Sequence, residues 1–135
     1  MTAPAFIAAT RNFLVELERL QEILLQQPDE AIFQRIRDLQ EQFLQQVRAF
    51  ASTLTNPLAD PGIFLIRKQN ELIQQHLNNL RERIDLHLTS DITPHKALDV
   101  FDHQFRFKKV VQKHLEDLEH VFPACGSPSD QPSAD

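Results

Sequence analysis

Tyrosine and tryptophan are missing from the 135 residues, glycine occurs only at positions 62 and 126, and cysteine only at 125. Sandwich and barrel sheets lean on aromatic and β-branched residues and on glycine turns, so this composition disfavours an all-β architecture. Two isolated glycines cannot form the glycine-rich loop that cradles a nucleotide phosphate. A lone Cys125 excludes an intramolecular disulfide and a thiolate zinc site, and fits a reducing compartment. A basic excess is also lacking: 14 Lys and Arg stand against 19 Asp and Glu, a net charge of −5. That balance argues against a nucleic-acid partner, which usually needs a basic field. No apolar run approaches the roughly 20 residues that cross a bilayer. The early "AFIAA" is short and without a charged leader, so a signal peptide and membrane insertion are not expected. The expectation is a cytoplasmic protein.

What is present is helical periodicity. With 41% hydrophobic residues, the chain can build one real core in one domain. Prolines at 28, 57, 61, 94 and 123 punctuate it. Between them apolar residues recur every three or four positions, which predicts four helices. The first, about residues 4 to 26, carries Phe6, Phe13, Leu17, Leu20 and Leu24 on one stripe, widened by Leu14. The second, about 29 to 54, repeats the stripe with Ile32, Ile36, Leu39, Phe43, Val47, Phe50 and Leu54. Asp60 and Pro61 read as the cap and first turn of the third, whose stripe is Ile66, Ile73, Leu77, Leu80, Ile84 and Leu88, ending near Thr89. Thr93 and Pro94 repeat that signal for the fourth, with Val100, Phe107, Val111, Leu115, Leu118 and Phe122 inward. Residues 124–135, "ACGSPSDQPSAD", have the composition of a disordered tail after a helical domain spanning 1–123. Short connections make neighbouring helices antiparallel, so the fold class is all-α, a four-helix up-down-up-down bundle. Pro28 is the open junction: "LLQQPDEA" offers no glycine stop and no strong cap, so separate helices compete with one kinked helix.

The densest chemistry lies in "PHKALDVFDHQFRFKK", residues 94–109. On a helical wheel His95, Asp99, Asp102, Arg106, Lys109 and Lys113 share a face opposite the inner stripe, the pattern of a solvated surface. His95, Asp99 and His103 are spaced four apart, which would let neighbouring pairs share a metal ion. A structural zinc, however, wants four ligands and a catalytic one three with support. No metal and no cofactor is therefore expected. His103 faintly resembles the histidine of phosphotransfer domains, although Gln104 and Phe105 stand where those domains carry a lysine and a small residue. Arg106, Lys109 and Lys113 are candidate contacts for phosphate or an acidic partner, diluted by Asp99, Asp102 and Asp117.

Apolar residues off the stripe are more informative. Leu98 and Phe105 on the fourth helix, with Phe101 at the core edge, and Phe64, Leu72 and Leu86 on the third, either broaden the core or line a groove for a partner helix. The inner seams offer only Asn70, Gln104 and His87 as polar groups. For Asn70, a contact to water or backbone near a helix end is preferred over a register-fixing role. The serines at 52, 90, 127, 129 and 133 fall at helix ends or in the tail, away from any evident catalytic constellation, and an enzyme is not expected.

The stretch "FLVELERLQEILLQQPDEAIFQRIRDLQEQFLQQV", followed by "IRKQNELIQQHLNNLRERIDLHL" and "KALDVF", resembles the FliT and FlgN-like flagellar (type III) export chaperones. These are small cytoplasmic helical proteins of bacteria, and the resemblance covers about residues 10 to 105 as pattern and length. It implies a chaperone that holds the helical end of an export substrate, with contacts at Leu98, Phe101 and Phe105. Many members use a tyrosine near the start of the last helix to reach the secretion gate. This chain has Phe101 at the nearest position, and its fourth helix is longer than the family's usual one. Two other readings stand beside it: a regulatory bundle that receives phosphate or metal at the fourth-helix histidines, and an adaptor that forms a homodimer through the same flank.

Overall fold

The computed structural model describes residues 1–54 and 60–123. The tail from Ala124, with Cys125, and the connection containing Pro57 lie outside the described residues. Four helices follow one another: α1 (Ala3–Gln26), α2 (Glu30–Ala51), α3 (Pro61–His87) and α4 (Pro94–Val121).

Each start is built from a side-chain cap. Thr2, Asp29, Asp60 and Thr93 sit in extended backbone and accept from the N–H groups of Ala5, Ile32, Gly62 and Lys96. Proline in the first turn of α1, α3 and α4 occupies a position whose N–H has no helical partner in any case. Asp29 settles the Pro28 junction. Its carboxylate accepts from Ile32 N–H at 3.0 Å, while α1 ends with Gln27 N–H donating to Ile23 O at 2.7 Å. The helices are separate, and the cap judged weak in the sequence is an ordinary Asp cap. At the other end, α2 stops three residues before Leu54, where Ser52 and Thr53 hydroxyls return to the carbonyls of Ala49 and Phe50.

The ring pairs fix the topology. Phe6 stacks on Phe50 at 4.4 Å and Phe13 on Phe43 at 4.1 Å, so α1 and α2 run in opposite directions. Arg37 with Asp85 and Glu41 with Arg81 do the same for α2 and α3, and Asn70 with His114 and Arg83 with Asp99 for α3 and α4. Contacts of Phe6 with His114 and Phe13 with Phe107 close α4 against α1. The result is the expected up-down-up-down bundle, in which sequence neighbours pack on each other and α1 against α4 closes the ring.

Two apolar clusters fill the interior. One contains Phe6, Phe13, Leu17, Phe43, Phe50, Ile73, Leu77 and Phe107; the other contains Leu20, Leu24, Ile32, Phe33, Ile36, Ile84, Ala97 and Val100. Each buried Phe or Leu contributes about 1.5–3 kcal/mol of transfer free energy. Where the helices pass from one cluster to the other, three glutamines are buried: Gln21, Gln40 and Gln104. Both amide atoms of Gln40, Nε2 of Gln21 and Oε1 of Gln104 have no hydrogen-bond partner. Of the expected inner stripe, Leu14, Leu39, Leu54, Leu88, Leu115 and Phe122 are only half-buried, because they lie at the seams and ends.

Candidate functional site

The α4 flank comes first. Leu98 is 58% exposed and Phe105 39%, so neither broadens the core. Phe101 between them is half-buried, its inner side packed on the second cluster. Its ring lies 6.2 Å from that of Phe105 at an interplanar angle of 16°. Spacing of three and four residues lines Leu98, Phe101 and Phe105 up on one side of the helix. The ammonium groups of Lys108 and Lys109 stand 5.3 and 4.8 Å from the centroid of the Phe105 ring. Phe64, Leu72 and Leu86 of α3 are exposed too, so the core-broadening reading fails for them as well.

The other side of α4 faces α3, and here the expectation of a wholly solvated face needs correction. Asp99 is half-buried and gathers three partners: His87 Nε2–H donates to its carboxylate at 2.7 Å, Arg83 lies at 3.1 Å and His103 Nδ1 at 3.5 Å. Burial pushes the Asp99 carboxyl up, but hydrogen bonds from His87 and Arg83 and the nearby positive charges outweigh it and hold it below the usual carboxylate range. His95 stays exposed outside this cluster, so the triplet of the sequence is replaced by His87, Asp99 and His103. Among the described residues no group of three or more His, Cys, Asp or Glu side chains is arranged to hold a metal ion.

His103 donates Nδ1–H to the Asp99 carbonyl at 2.8 Å, which leaves the lone pair of a neutral ring on Nε2. A cavity of about 320 Å³ opens beside it, walled by His76, Arg83 and Arg106 and floored by Leu80, Phe107 and Val110. Of the three candidate cationic contacts, Arg106 pairs with Asp102 at 3.1 Å, Lys113 with Asp117 at 3.1 Å, and Lys109 turns to Phe105.

Sequence reasoning missed His114. It lies on the inner seam of α4, 1% exposed, with Nδ1 at 2.7 Å from Gln69 Oε1 and Nε2 at 2.8 Å from Asn70 Oδ1. Gln69 in turn donates its amide N–H to Asp117. Burial pushes the imidazole down to about 4, the Asp117 charge opposing. Asn70 is therefore buried and paired with a side chain of another helix, against the preferred reading of a contact to water or backbone. The signal was available: His114 falls between Val111 and Leu118 on the apolar stripe.

No family model, no curated protein and no solved structure matches this chain. The functional reading therefore stands on residues and geometry. No helix among the described residues is long and apolar enough to cross a membrane.

Proposed function

We propose that this protein is a non-enzymatic protein-binding module that holds an amphipathic helix of a partner against Leu98, Phe101 and Phe105. The observation that carries the reading is the exposure of Leu98 and Phe105 on one line of α4 around a half-buried Phe101. Three apolar side chains at that spacing offer the complement to a partner's own apolar helical stripe. Phe101 gives the line a rigid base because its inner side is already packed against the second apolar cluster. The one deeply buried imidazole, His114, has both ring nitrogens engaged by amides, which supports a structural rather than catalytic use.

In its more specific form the module is an export chaperone that keeps the helical end of a secreted or flagellar substrate covered in the cytoplasm. The support for this form is the FliT and FlgN-like pattern of the helices. The test is affinity capture from the native host with wild-type protein and with Phe105→Glu, read by mass spectrometry beside far-UV circular dichroism. An exported structural protein captured by the wild type and lost from a fully helical Phe105→Glu variant is the expected result. Equal capture by both removes the flank, and partners with no link to export remove the chaperone form.

A second reading has its own observation. The Nε2 lone pair of His103 can attack a phosphoryl group, and the guanidinium N–H groups of Arg83 and Arg106, which line the cavity beside it, can donate to the oxygens of that group or of a free oxyanion. Titration with inorganic phosphate, followed through the imidazole NMR signals of His76 and His103, tests it. Shifts in both that vanish in Arg106→Gln would favour this reading over the first.

A further inference from the structure

We infer that the partner helix carries carboxylates where it passes Phe105, and that Lys108 and Lys109 receive them. The inference rests on the docking reading above and adds the chemistry of the occupant. Most cations of α4 are already committed. Arg106 is paired with Asp102, Lys113 with Asp117, and Lys96 donates to the carbonyls of His87 and Asp91. Lys108 and Lys109 differ: among the described residues neither forms an ion pair, and both ammonium groups rest on the Phe105 ring. Exposed Glu18 and Glu22 of α1 pair with neither of them.

Desolvation turns this arrangement into a preference. A helix laid on Leu98, Phe101 and Phe105 excludes water from around the Phe105 ring, beside which the two ammonium groups stand at 5.3 and 4.8 Å from the centroid. Charges taken out of water without a counter-charge are strongly penalised, and an aromatic face compensates only part of that loss. A carboxylate on the partner at this level removes the penalty, and the flexible lysine stems can swing to meet it without moving the backbone. A lysine or arginine at the same level meets two like charges. The flank thus selects an acidic border on the partner's apolar stripe, although the chain as a whole carries −5.

The test is a displayed library of amphipathic helices with a fixed leucine face and randomised border positions, selected on the intact protein. Clones that depend on both Phe105 and Leu98, judged with Phe105→Glu and Leu98→Asp, are sequenced. Two variants are used because Leu98 is the more exposed and the less able to disturb folding. The expected result is enrichment of Asp and Glu at the border by about threefold over the input. Enrichment of Lys and Arg is expected in its place when the bait is Lys108→Glu/Lys109→Glu. Flank-dependent clones with no acidic preference overturn this inference and leave the docking flank standing. Absence of any clone sensitive to the two flank variants overturns the flank itself, and this inference with it.

Discussion

Nε2 of His114 in α4 lies 2.8 Å from the side-chain amide of Asn70 in α3, and both residues are 1% exposed. Hydrogen-bond logic orders the chain around them. Gln69 gives its N–H to Asp117, so its oxygen accepts from His114 Nδ1–H. A neutral ring then presents a lone pair at Nε2, and the bond to Asn70 forms when Asn70 turns its amide nitrogen toward it. That orientation also gives a partner to the Asn70 nitrogen, otherwise buried without one.

This network predicts a stability that depends on pH. The His114 imidazole is held down to about 4 in the fold, against 6.5 for an unperturbed ring. Between these values the unfolded chain binds a proton that the folded chain refuses. Stability is therefore full above about pH 6.5 and falls as the pH drops toward 4, by roughly 3 kcal/mol at about 1.4 kcal/mol per unit. Asp99 and Asp117, both held below the usual carboxylate range, lose their contributions at lower pH, as they protonate. Urea denaturation at pH 7 and pH 4.5 measures the first window. In His114→Gln the slope between those two values should flatten; an unchanged slope would assign it to other groups.

Removing one member of the buried pair should cost more than removing both. Asn70→Leu strands the His114 nitrogen in an apolar interior, at about 1–3 kcal/mol. The Asn70→Leu/His114→Leu double variant leaves no orphan at that bond and should recover a large part of the loss. A double-mutant cycle by chemical denaturation gives the coupling; strict additivity would mean the two residues do not act as a pair.

Gln40 makes the opposite prediction. Its amide is 1% exposed with neither polar atom partnered, at the junction of the two apolar clusters. Gln40→Met has similar volume and no amide to desolvate, so it should stabilise the fold by about 1–3 kcal/mol. A raised midpoint of thermal unfolding is the readout. A loss of stability would show that the glutamine layer supplies hydrogen bonds of its own.

Core and flank phenylalanines should separate cleanly. Phe6 is fully buried, stacked on Phe50 and in edge contact with His114, and Phe6→Ala should cost about 3–5 kcal/mol. Leu98→Ala, at a position 58% exposed, should stay within about 0.5 kcal/mol of wild type. If Leu98→Ala proves as damaging as a core truncation, the flank belongs to the fold and not to a partner.

The helices were legible because each is specified locally. Asp60 and Thr93 are readable as caps of their own first turns, whereas the caps at Thr2 and Asp29 emerge only in the structure, and apolar spacing along each segment already says which side turns inward. Antiparallel order followed from short connections. Site geometry was less legible, because it depends on pairs that are distant in sequence. His95, Asp99 and His103 share a spacing, yet Asp99 turns across to His87 and Arg83 while His95 stays outside. Asn70 could be placed on an inner seam from its position alone, but its partner sits on another helix and is visible only once α3 and α4 are in register. Whether Leu98 and Phe105 were core or surface was likewise undecided, since a bundle helix buries a broad face whose width its neighbours set. Periodicity along one helix determined the four helices and their inner stripes. Packing between helices decided the edges of those stripes and the partners of the polar groups, because both depend on how closely a second helix approaches.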